Sequence, residues 1–419
     1  MRIYNLFPLL AGKFNQWEPH FERAAQMGFN WLFINPVQRT GRSGSLYSIA
    51  DYFGFNPLLV DETSKLTEAQ QFQAAINSAH KLGLSVMIDL VINHCAVDSP
   101  LVTKEPQWFV RESGKVQHPF CVENGERVYW FDLAQFDHKQ DSEGLFKYIT
   151  SVVENLIALG IDGFRCDAAY QIPKKLWSRL ISETRRRHPT VLFAAETLGC
   201  TADQTRDTAT AGFDYVFNSA KWWDFRSTWL LEQYNLTREI SPSIGFPESH
   251  DTPRMHVEVN GNIDAIKQKL LFTSLFATGS MIPIGFEYGF RKPLHVANTR
   301  PSDWESPNLD LRDFIRSIND LKVNYQVFRE ECPTQVLELE NHNLLGMWKG
   351  STQSREEALV VMNMSVYDRQ VFYIDAVKRL MQSQAPLKCV SPENPLEYVN
   401  EPFHYELRPG EALVFVTER

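Results

Sequence analysis

Four short apolar runs of the sequence end in charged or amide side chains, which a buried core would not select. Arg165 and Asp167 end one of them, and if that run is a strand, both side chains point to the same face. A lone Arg-x-Asp is usually a structural ion pair, but carboxylates gathered in one pocket can act as nucleophiles and as general acids or bases. The four runs are 87–94, ending in Asn93 and His94; 163–167; 192–196, ending in Glu196; and 246–251, ending in His250 and Asp251.

Alternating strands and helices predict the scaffold that would bring these side chains together. Short apolar runs alternate with amphipathic helical patterns from the first residue to about position 330. This repetition favours an α/β fold, a (β/α)8 TIM barrel, in which chemistry lies at the C-terminal ends of the strands. A doubly wound sheet is the alternative, but no Gly-x-Gly-x-x-Gly turn follows the first strand. The predicted strands are Ile3–Phe7, Trp31–Asn35, Leu84–Ile92, Gly163–Asp167, Val191–Glu196 and Met281–Gly285.

Three of the intervening helices have boundaries that can be read from the sequence. The first begins with a capping box formed by Thr67 and Gln70 and ends at Gly83. The second is predicted from about Ser142 to Leu159, and the third begins after Pro173.

The chain divides into three predicted parts. Residues 1–94 and 141–332 form the catalytic barrel, and residues 95–140 form a small inserted subdomain after the third strand, because this stretch is too long for a simple loop. From 333 to 419 the pattern changes to strands without helices, which predicts a C-terminal antiparallel β domain resembling a sandwich. Its predicted strands are Leu344–Trp348, Ala358–Met364, Gln370–Ile374 and Ala412–Val416.

The polar run ends resemble, in order, the four signature motifs of the α-amylase family (glycoside hydrolase family 13). Two more stretches are similar to that family: residues 47–52, after the second strand, and residues 285–289, after the eighth. The resemblance covers roughly residues 1–330 and implies retaining cleavage of α-1,4-linked glucans or maltooligosaccharides. The motifs are matched by Asp89, Asn93 and His94; by Arg165 and Asp167; by Glu196; and by His250 and Asp251.

This resemblance implies three catalytic carboxylates. Asp167 would be the nucleophile that forms a covalent glycosyl-enzyme, Glu196 the acid and then the base, and Asp251 a stabiliser of the oxocarbenium-like state. Arg165 would keep Asp167 ionised by charge pairing, and the apolar neighbours of Glu196 would raise its pKa, as a proton donor requires. The residues implied to bind substrate are Tyr47, as a platform under the sugar ring, and Asp51, His94, Arg165, His250 and Arg254.

Some positions depart from the family pattern and argue against a calcium site. Tyr170-Gln171 stands where typical α-amylases carry Lys-His, and residues 95–140 have no clear acidic cluster to supply the 6–8 oxygen ligands of Ca²⁺. We therefore expect no metal and no cofactor, although Asn93 could serve as a calcium ligand. Asp89, in mid-strand, is expected to orient Arg165.

The acceptor of the glycosyl group is left open by the sequence. A hydrolase passes it to water, whereas a transglycosylase such as a maltosyltransferase or glucanotransferase passes it to a sugar or phosphate. Residues 105–116 and 182–189 are similar to maltosyltransferases, but the fourth motif keeps a His-Asp form from which those enzymes depart. We expect the acceptor side to be shaped by loops such as 95–140 and 219–240. A non-catalytic member normally loses part of the acidic trio, which is intact here.

Composition excludes other classes of function. The net charge is −9 with no long basic run, which argues against nucleic acid or an anionic membrane as partner. The chain has no apolar run of transmembrane length, no signal-peptide pattern at its start and no Cys-x-x-Cys pair, so we expect a reduced, cytoplasmic protein. The sequence does not indicate an oligomeric state. The cysteines, expected to be inert, are Cys95, Cys121, Cys166, Cys200, Cys332 and Cys389.

Overall fold

Eight parallel strands close into a barrel in the computed structural model, which describes residues 1–123 and 126–417, with the backbone alone for 121–123. Each strand pairs with its neighbours in chain order, and the first pairs with the last. The predicted (β/α)8 barrel is therefore confirmed. The strands are β1 Arg2–Leu6, β2 Trp31–Ile34, β3 Ser85–Leu90, β4 Gly163–Cys166, β5 Leu192–Ala195, β6 Tyr215–Phe217, β7 Ser243–Gly245 and β8 Gly279–Pro283.

All six strands predicted within the barrel are present; four are shorter than their apolar runs, and the first and the last keep the predicted length but begin one and two residues earlier. β6 and β7 were not among the predicted strands. Each has only three residues, too few to show a periodic pattern. Gly245 in β7 allows a close helix approach, because a Cβ at this position would lie 2.3 Å from the carbonyl oxygen of Thr273.

Helices surround the barrel and bury one face against it. The three predicted helices are present, and the Thr67–Gln70 capping box forms as expected. The longer helices are α1 Glu18–Gln26, α2 Glu68–Lys81, α3 Ser142–Ala158, α4 Lys174–Arg187, α5 Ala202–Ala209, α6 Trp229–Thr237, α7 Ile263–Phe276 and α8 Arg312–Asn324. Single-turn helices are Pro8–Ala11, Leu101–Lys104 and Met255–Glu258; the 3-10 turns are Phe14–Gln16, Pro57–Leu59, Pro106–Trp108, Ala169–Gln171, Ala220–Trp222, Phe286–Tyr288, Pro301–Asp303, Gln326–Phe328 and Val377–Leu380.

Two excursions from the barrel lie next to each other above its C-terminal rim. After β2, a hairpin of Gln38–Thr40 and Ile49–Phe55 carries Tyr47 in its connection. After β3, the segment 95–140 folds as short strands, and Ser48 of the hairpin donates to the carbonyl of Asp132 in this segment. The strands after β3 are His94–Ala96, Arg111–Glu112, Lys115–Val116, Phe120–Glu123, Glu126–Tyr129 and Leu133–Gln135.

The C-terminal part is an antiparallel β structure packed against the barrel. Its strands are β9 Thr334–Leu337, β10 Leu344–Gly350, β11 Glu357–Asn363, β12 Gln370–Ile374, β13 Leu387–Cys389, β14 Phe403–Leu407 and β15 Ala412–Thr417. Five of them form one sheet in the order β9-β10-β11-β15-β13, and β12 pairs with β14. Side chains of the large sheet alternate: Met347 and Val360 join the barrel core, whereas Trp348 and Leu359 join a separate C-terminal core.

Candidate active site

Arg165 joins two carboxylates at the C-terminal end of neighbouring strands. It lies opposite Asp89 in the register of β3 and β4, and its Nη1 donates to both oxygens of Asp89 at 2.9 and 2.8 Å. The same nitrogen donates to Oδ1 of Asp167 at 2.7 Å. Asp89 is fully buried, whereas the Asp167 side chain keeps 15% of its surface exposed. Asp89 therefore orients the guanidinium, and Asp167 is the carboxylate left open to a ligand.

Glu196 follows β5 at the position that matches Asp167 after β4. Cys166 pairs with Ala195 in the register of the two strands, so both carboxylates stand one residue beyond the same rung of the barrel. Neighbouring strands lie about 4.7–4.9 Å apart, which places both residues side by side at the C-terminal end of the barrel. Backbone N–H groups hold Glu196: Leu198 donates to Oε1 at 2.6 Å and Ala168 to Oε2 at 2.9 Å.

The backbone turn after Asp167 produces one of these contacts. Ala168 has a φ of 42°, in the left-handed region that residues with a Cβ rarely occupy. This conformation directs its N–H at the Glu196 carboxylate. Strain of this kind, about 1–3 kcal/mol, persists where the surrounding structure fixes the backbone and is common at functional sites.

The two carboxylates have different surroundings: Glu196 is buried, whereas Asp167 is paired with a guanidinium group. Burial raises the pKa of Glu196 to about 7; the charge of Arg165 opposes this shift, and the charge of Asp167 adds to it. Asp167, by contrast, is directly ion-paired with Arg165. At neutral pH a substantial fraction of Glu196 is therefore protonated beside a carboxyl group that is paired with Arg165, an arrangement that suits general acid catalysis.

Tyr47 links the hairpin to this cluster. Its hydroxyl donates to Oδ2 of Asp89 at 2.6 Å and accepts from the amide of Asn35 at 2.9 Å. Its ring lies parallel to that of His250, with 3° between the planes and 5.6 Å between centroids. The single hydroxyl proton of Tyr47 lies in the hydrogen bond to Asp89. Nε2 of His250 is therefore the donor in its 2.7 Å contact with the Tyr47 hydroxyl oxygen.

The two histidines of the motifs lie at the same mouth. Burial lowers the pKa of both His94 and His250, so the imidazoles are neutral at physiological pH. Both ring nitrogens of His94 and Nδ1 of His250 are buried without a hydrogen-bond partner among the described residues. Nε2 of His250 is 3.1 Å from Oδ2 of Asp251, whose side chain is 57% exposed. These groups leave donors and acceptors for a polar ligand.

Two predicted substrate-binding residues are not joined to this cluster by the contacts of the described chain. Asp51 is exposed on the hairpin, where its Oδ1 accepts from the N–H of Phe53. Arg254 is buried and donates to Glu248 at 2.6 Å and to the carbonyls of Ile284 and Lys292. Arg254 thus fixes the loop that carries His250 and Asp251; its role in binding substrate stays a prediction.

Sequence reasoning gave no role to several residues that hold the site together. Asn35 follows β2 and donates to Tyr47; Gln171 accepts from Asn93 at 2.8 Å; Glu248 pairs with Arg254. Asn35 could have been predicted from the sequence, since it is a polar residue at a strand end.

The thiols of the cysteines whose side chains are described are free, including Cys166 within β4, and the side chain of Cys121 lies outside the described residues.

Residues 1–123 and 126–417 contain neither a cluster of metal ligands nor a helix that could span a membrane. Among these residues, no group of three or more His, Cys, Asp or Glu side chains is placed to hold a metal ion. Likewise, none of the helices formed by these residues has the length and apolar character needed to cross a bilayer. The expected independence from calcium stays a prediction.

The chain is similar to known proteins that act on α-glucans. A family model described as the glucanotransferase domain of glycogen debranching enzyme matches residues 1–110. The α-1,4-glucan:maltose-1-phosphate maltosyltransferase of Burkholderia pseudomallei is 26% identical over 75% of this chain, and that of Mycolicibacterium smegmatis is 24% identical over 82%. These similarities support a place for the chain in the α-amylase family. It spans only 28% and 53% of the lengths of these two relatives.

Solved structures of other proteins agree with the α-amylase family fold along the whole chain. An α-amylase from Lactobacillus plantarum superposes with a TM-score of 0.79 at 20% identity, covering 100% of this chain and 98% of that one. An α-amylase from H. orenii gives a TM-score of 0.80 at 15% identity, covering 100% and 99%. At these identities the likeness establishes the fold: a (β/α)8 barrel followed by a C-terminal β domain.

Proposed function

We propose that this α-amylase family member cleaves α-1,4-linked glucans or maltooligosaccharides with retention of configuration, through a covalent glycosyl-enzyme. The observation that carries the proposal is the pair of carboxylates at matching positions after β4 and β5, with one ion-paired and the other buried with a pKa of about 7. Retaining glycosidases need one carboxylate as nucleophile and a second as acid and then base.

In the first step, Asp167 attacks the anomeric carbon while Glu196 protonates the departing glycosidic oxygen. Arg165 holds Oδ1 of Asp167, and Oδ2, which accepts no hydrogen bond from the described residues, attacks. Tyr47 and Asp89 keep Arg165 in place through their shared hydrogen bond. The unpartnered nitrogens of His94 and His250 bind hydroxyls of the same sugar ring, and Asp251 stabilises positive charge as the bond breaks.

In the second step, Glu196 is ionised and removes a proton from the incoming acceptor, which displaces Asp167 from the anomeric carbon. With water as acceptor the enzyme is an α-amylase-like hydrolase. Each of the two displacements inverts the configuration of the anomeric carbon, so the product has the starting α configuration.

Transfer to a sugar or to phosphate is a second candidate, which two observations favour. The curated relatives cited above are maltosyltransferases, and the matching family model describes a glucanotransferase domain. A transglycosylase would use the same carboxylates and differ only in the acceptor.

Product analysis distinguishes the two acceptors. The protein is incubated with maltohexaose, with and without inorganic phosphate, and chain lengths are followed by chromatography. Shorter chains and free reducing ends indicate hydrolysis; chains longer than the substrate indicate transfer to sugar, and phosphate-dependent maltose 1-phosphate indicates phosphate as acceptor. No change in chain length under any condition would contradict the proposed function.

A further inference from the structure

Trp222 is an exposed aromatic residue held between two buried neighbours. Half of its surface, 50%, is accessible, whereas Lys221 and Trp223 are 4% and 3% exposed. Lys221 donates through Nζ to Glu258, and Trp223 donates through Nε1 to the carbonyl of Ser227 at 2.7 Å. The ring of Trp223 also stacks on Phe272 of α7. The backbone on both sides of Trp222 is therefore fixed, and its indole is presented to solvent from a rigid turn.

The indole stands over the interior of the barrel. Its ring meets that of Phe246 edge-on, with 6.0 Å between centroids and 89° between planes. Phe246 is fully buried and packs in the cluster that fills the barrel, together with Phe33, Met87 and Ala194. It also precedes the loop that carries His250 and Asp251. Trp222 consequently lies at the mouth of the barrel, on the rim that carries the candidate active site.

The strand order places Trp222 on the side of Glu196 that faces away from Asp167. Asp167, Glu196 and Trp222 follow β4, β5 and β6, which are consecutive neighbours in the barrel wall. In the proposed displacement, the departing oxygen leaves the anomeric carbon on the side away from Asp167 and receives its proton from Glu196. The sugar attached to that oxygen therefore extends beyond Glu196, towards the end of β6.

We infer that Trp222 binds the leaving sugar, and then the incoming acceptor, by stacking its indole on the apolar face of the ring. This inference rests on the proposed function and assigns one residue of the acceptor side. An indole offers a wide apolar surface with few rotatable bonds, so little conformational entropy is lost when a ring packs on it. An exposed apolar ring on a fixed turn beside a catalytic pocket is suited to that purpose.

The test compares a substrate that has a leaving sugar with one that has none. Wild type, Trp222→Ala and Trp222→Phe are assayed on maltohexaose and on α-maltosyl fluoride, whose leaving group is fluoride. We expect Trp222→Ala to lower kcat/KM for maltohexaose about tenfold, the effect of losing about 1.4 kcal/mol of stacking. First-step fluoride release should stay within about twofold of wild type. Trp222→Phe should retain most of the activity on maltohexaose.

Tyr367→Ala is the matched control, because Tyr367 is an aromatic residue 81% exposed in the C-terminal part. It should change neither rate. Unchanged activity of Trp222→Ala on maltohexaose, or equal losses on both substrates, would overturn the assignment while leaving the proposed function standing. A wild-type protein that releases no fluoride would instead contradict the proposed function, and the assignment with it.

Discussion

At the scale of single residues, the site separates two carboxylates by their surroundings. Asp167 is partly exposed and paired with Arg165, whereas Glu196 is buried and held by two backbone N–H groups. The sequence predicted both residues and the apolar environment of Glu196. It could not predict the contact from Ala168, because that bond depends on a left-handed backbone conformation in a residue other than glycine.

Replacing Asp167 by asparagine should give a folded protein with almost no activity. The amide cannot form the glycosyl ester, so turnover on maltohexaose should fall by several orders of magnitude. Circular dichroism checks folding, and product chromatography checks turnover. A variant with more than about a tenth of wild-type activity would exclude Asp167 as the nucleophile.

The activity should fall as the pH rises, because Glu196 then loses the proton that it donates. Its protonated form is the acid, and its pKa is raised to about 7, so kcat/KM for maltohexaose should decline above about pH 7 as that proton is lost. The Glu196→Gln variant cannot donate in this way, and it should be nearly inactive on maltohexaose. Its first-step release of fluoride from α-maltosyl fluoride should be much less affected, because fluoride needs little protonation to leave.

The measurement is a pair of pH profiles for wild type, one on each substrate. The same high-pH decline on both substrates, or equal losses of Glu196→Gln on both, would remove Glu196 from the role of acid.

At the scale of elements, the polar strand ends were predictable and the contacts between loops were not. Asp89 and Arg165 lie on neighbouring strands in the chain-ordered barrel, so their meeting follows from the fold. Tyr47, however, meets His250 across 203 positions of sequence, and that contact depends on how two loops fold over the rim. Arg254 illustrates the same limit. The sequence predicts it as a substrate-binding residue, but in the structure it is buried and donates to Glu248.

The Glu248–Arg254 pair should be needed to hold the loop between β7 and α7. Both side chains are 2% exposed, so Arg254→Met leaves a buried carboxylate without its partner, at a cost of about 3–5 kcal/mol. Denaturant unfolding should therefore show a clear loss of stability. Arg312→Met is the control, because its pair with Asp310 is half exposed and contributes about 0–1 kcal/mol. Equal stability of the two variants would contradict this account of the loop.

At the scale of the whole molecule, the C-terminal domain supplies hydrogen bonds to the C-terminal end of helix α7. Lys349 of β10 donates to the carbonyls of Leu275 and Phe276, the last residues of α7. Lys322 of α8 donates to Ser274 and Ala277, each at 2.7 Å. The amino groups of the two lysines thus satisfy carbonyls that a helix leaves unpaired, and burial lowers the pKa of Lys322 well below its usual range. The sequence predicted a β domain behind the barrel, but not this pair of lysines.

Lys349→Met should loosen α7 without disturbing the catalytic strands. Loss of the ammonium leaves buried carbonyls unpaired, which costs about 1–3 kcal/mol. Hydrogen exchange should therefore become faster in peptides covering 263–280 and remain unchanged in those covering 163–196. Lys378→Met serves as the control, because the one hydrogen bond of the Lys378 side chain to the described residues is an exposed contact with the carbonyl of Gln384. Unchanged exchange of α7 in Lys349→Met would show that the C-terminal domain does not support this helix.

The central claim is the double displacement on Asp167, and the stereochemistry of the first product tests it most directly. Asp167 and Glu196 follow adjacent strands at the same register, which suits the separation of about 5–5.5 Å found in retaining enzymes and is too close for the 6.5–9.5 Å of inverting ones. Proton NMR of maltohexaose cleavage, recorded before mutarotation, should show the α-anomer signal rising first. A β-anomer signal that appears first would contradict the glycosyl-enzyme on Asp167 and the mechanism built on it.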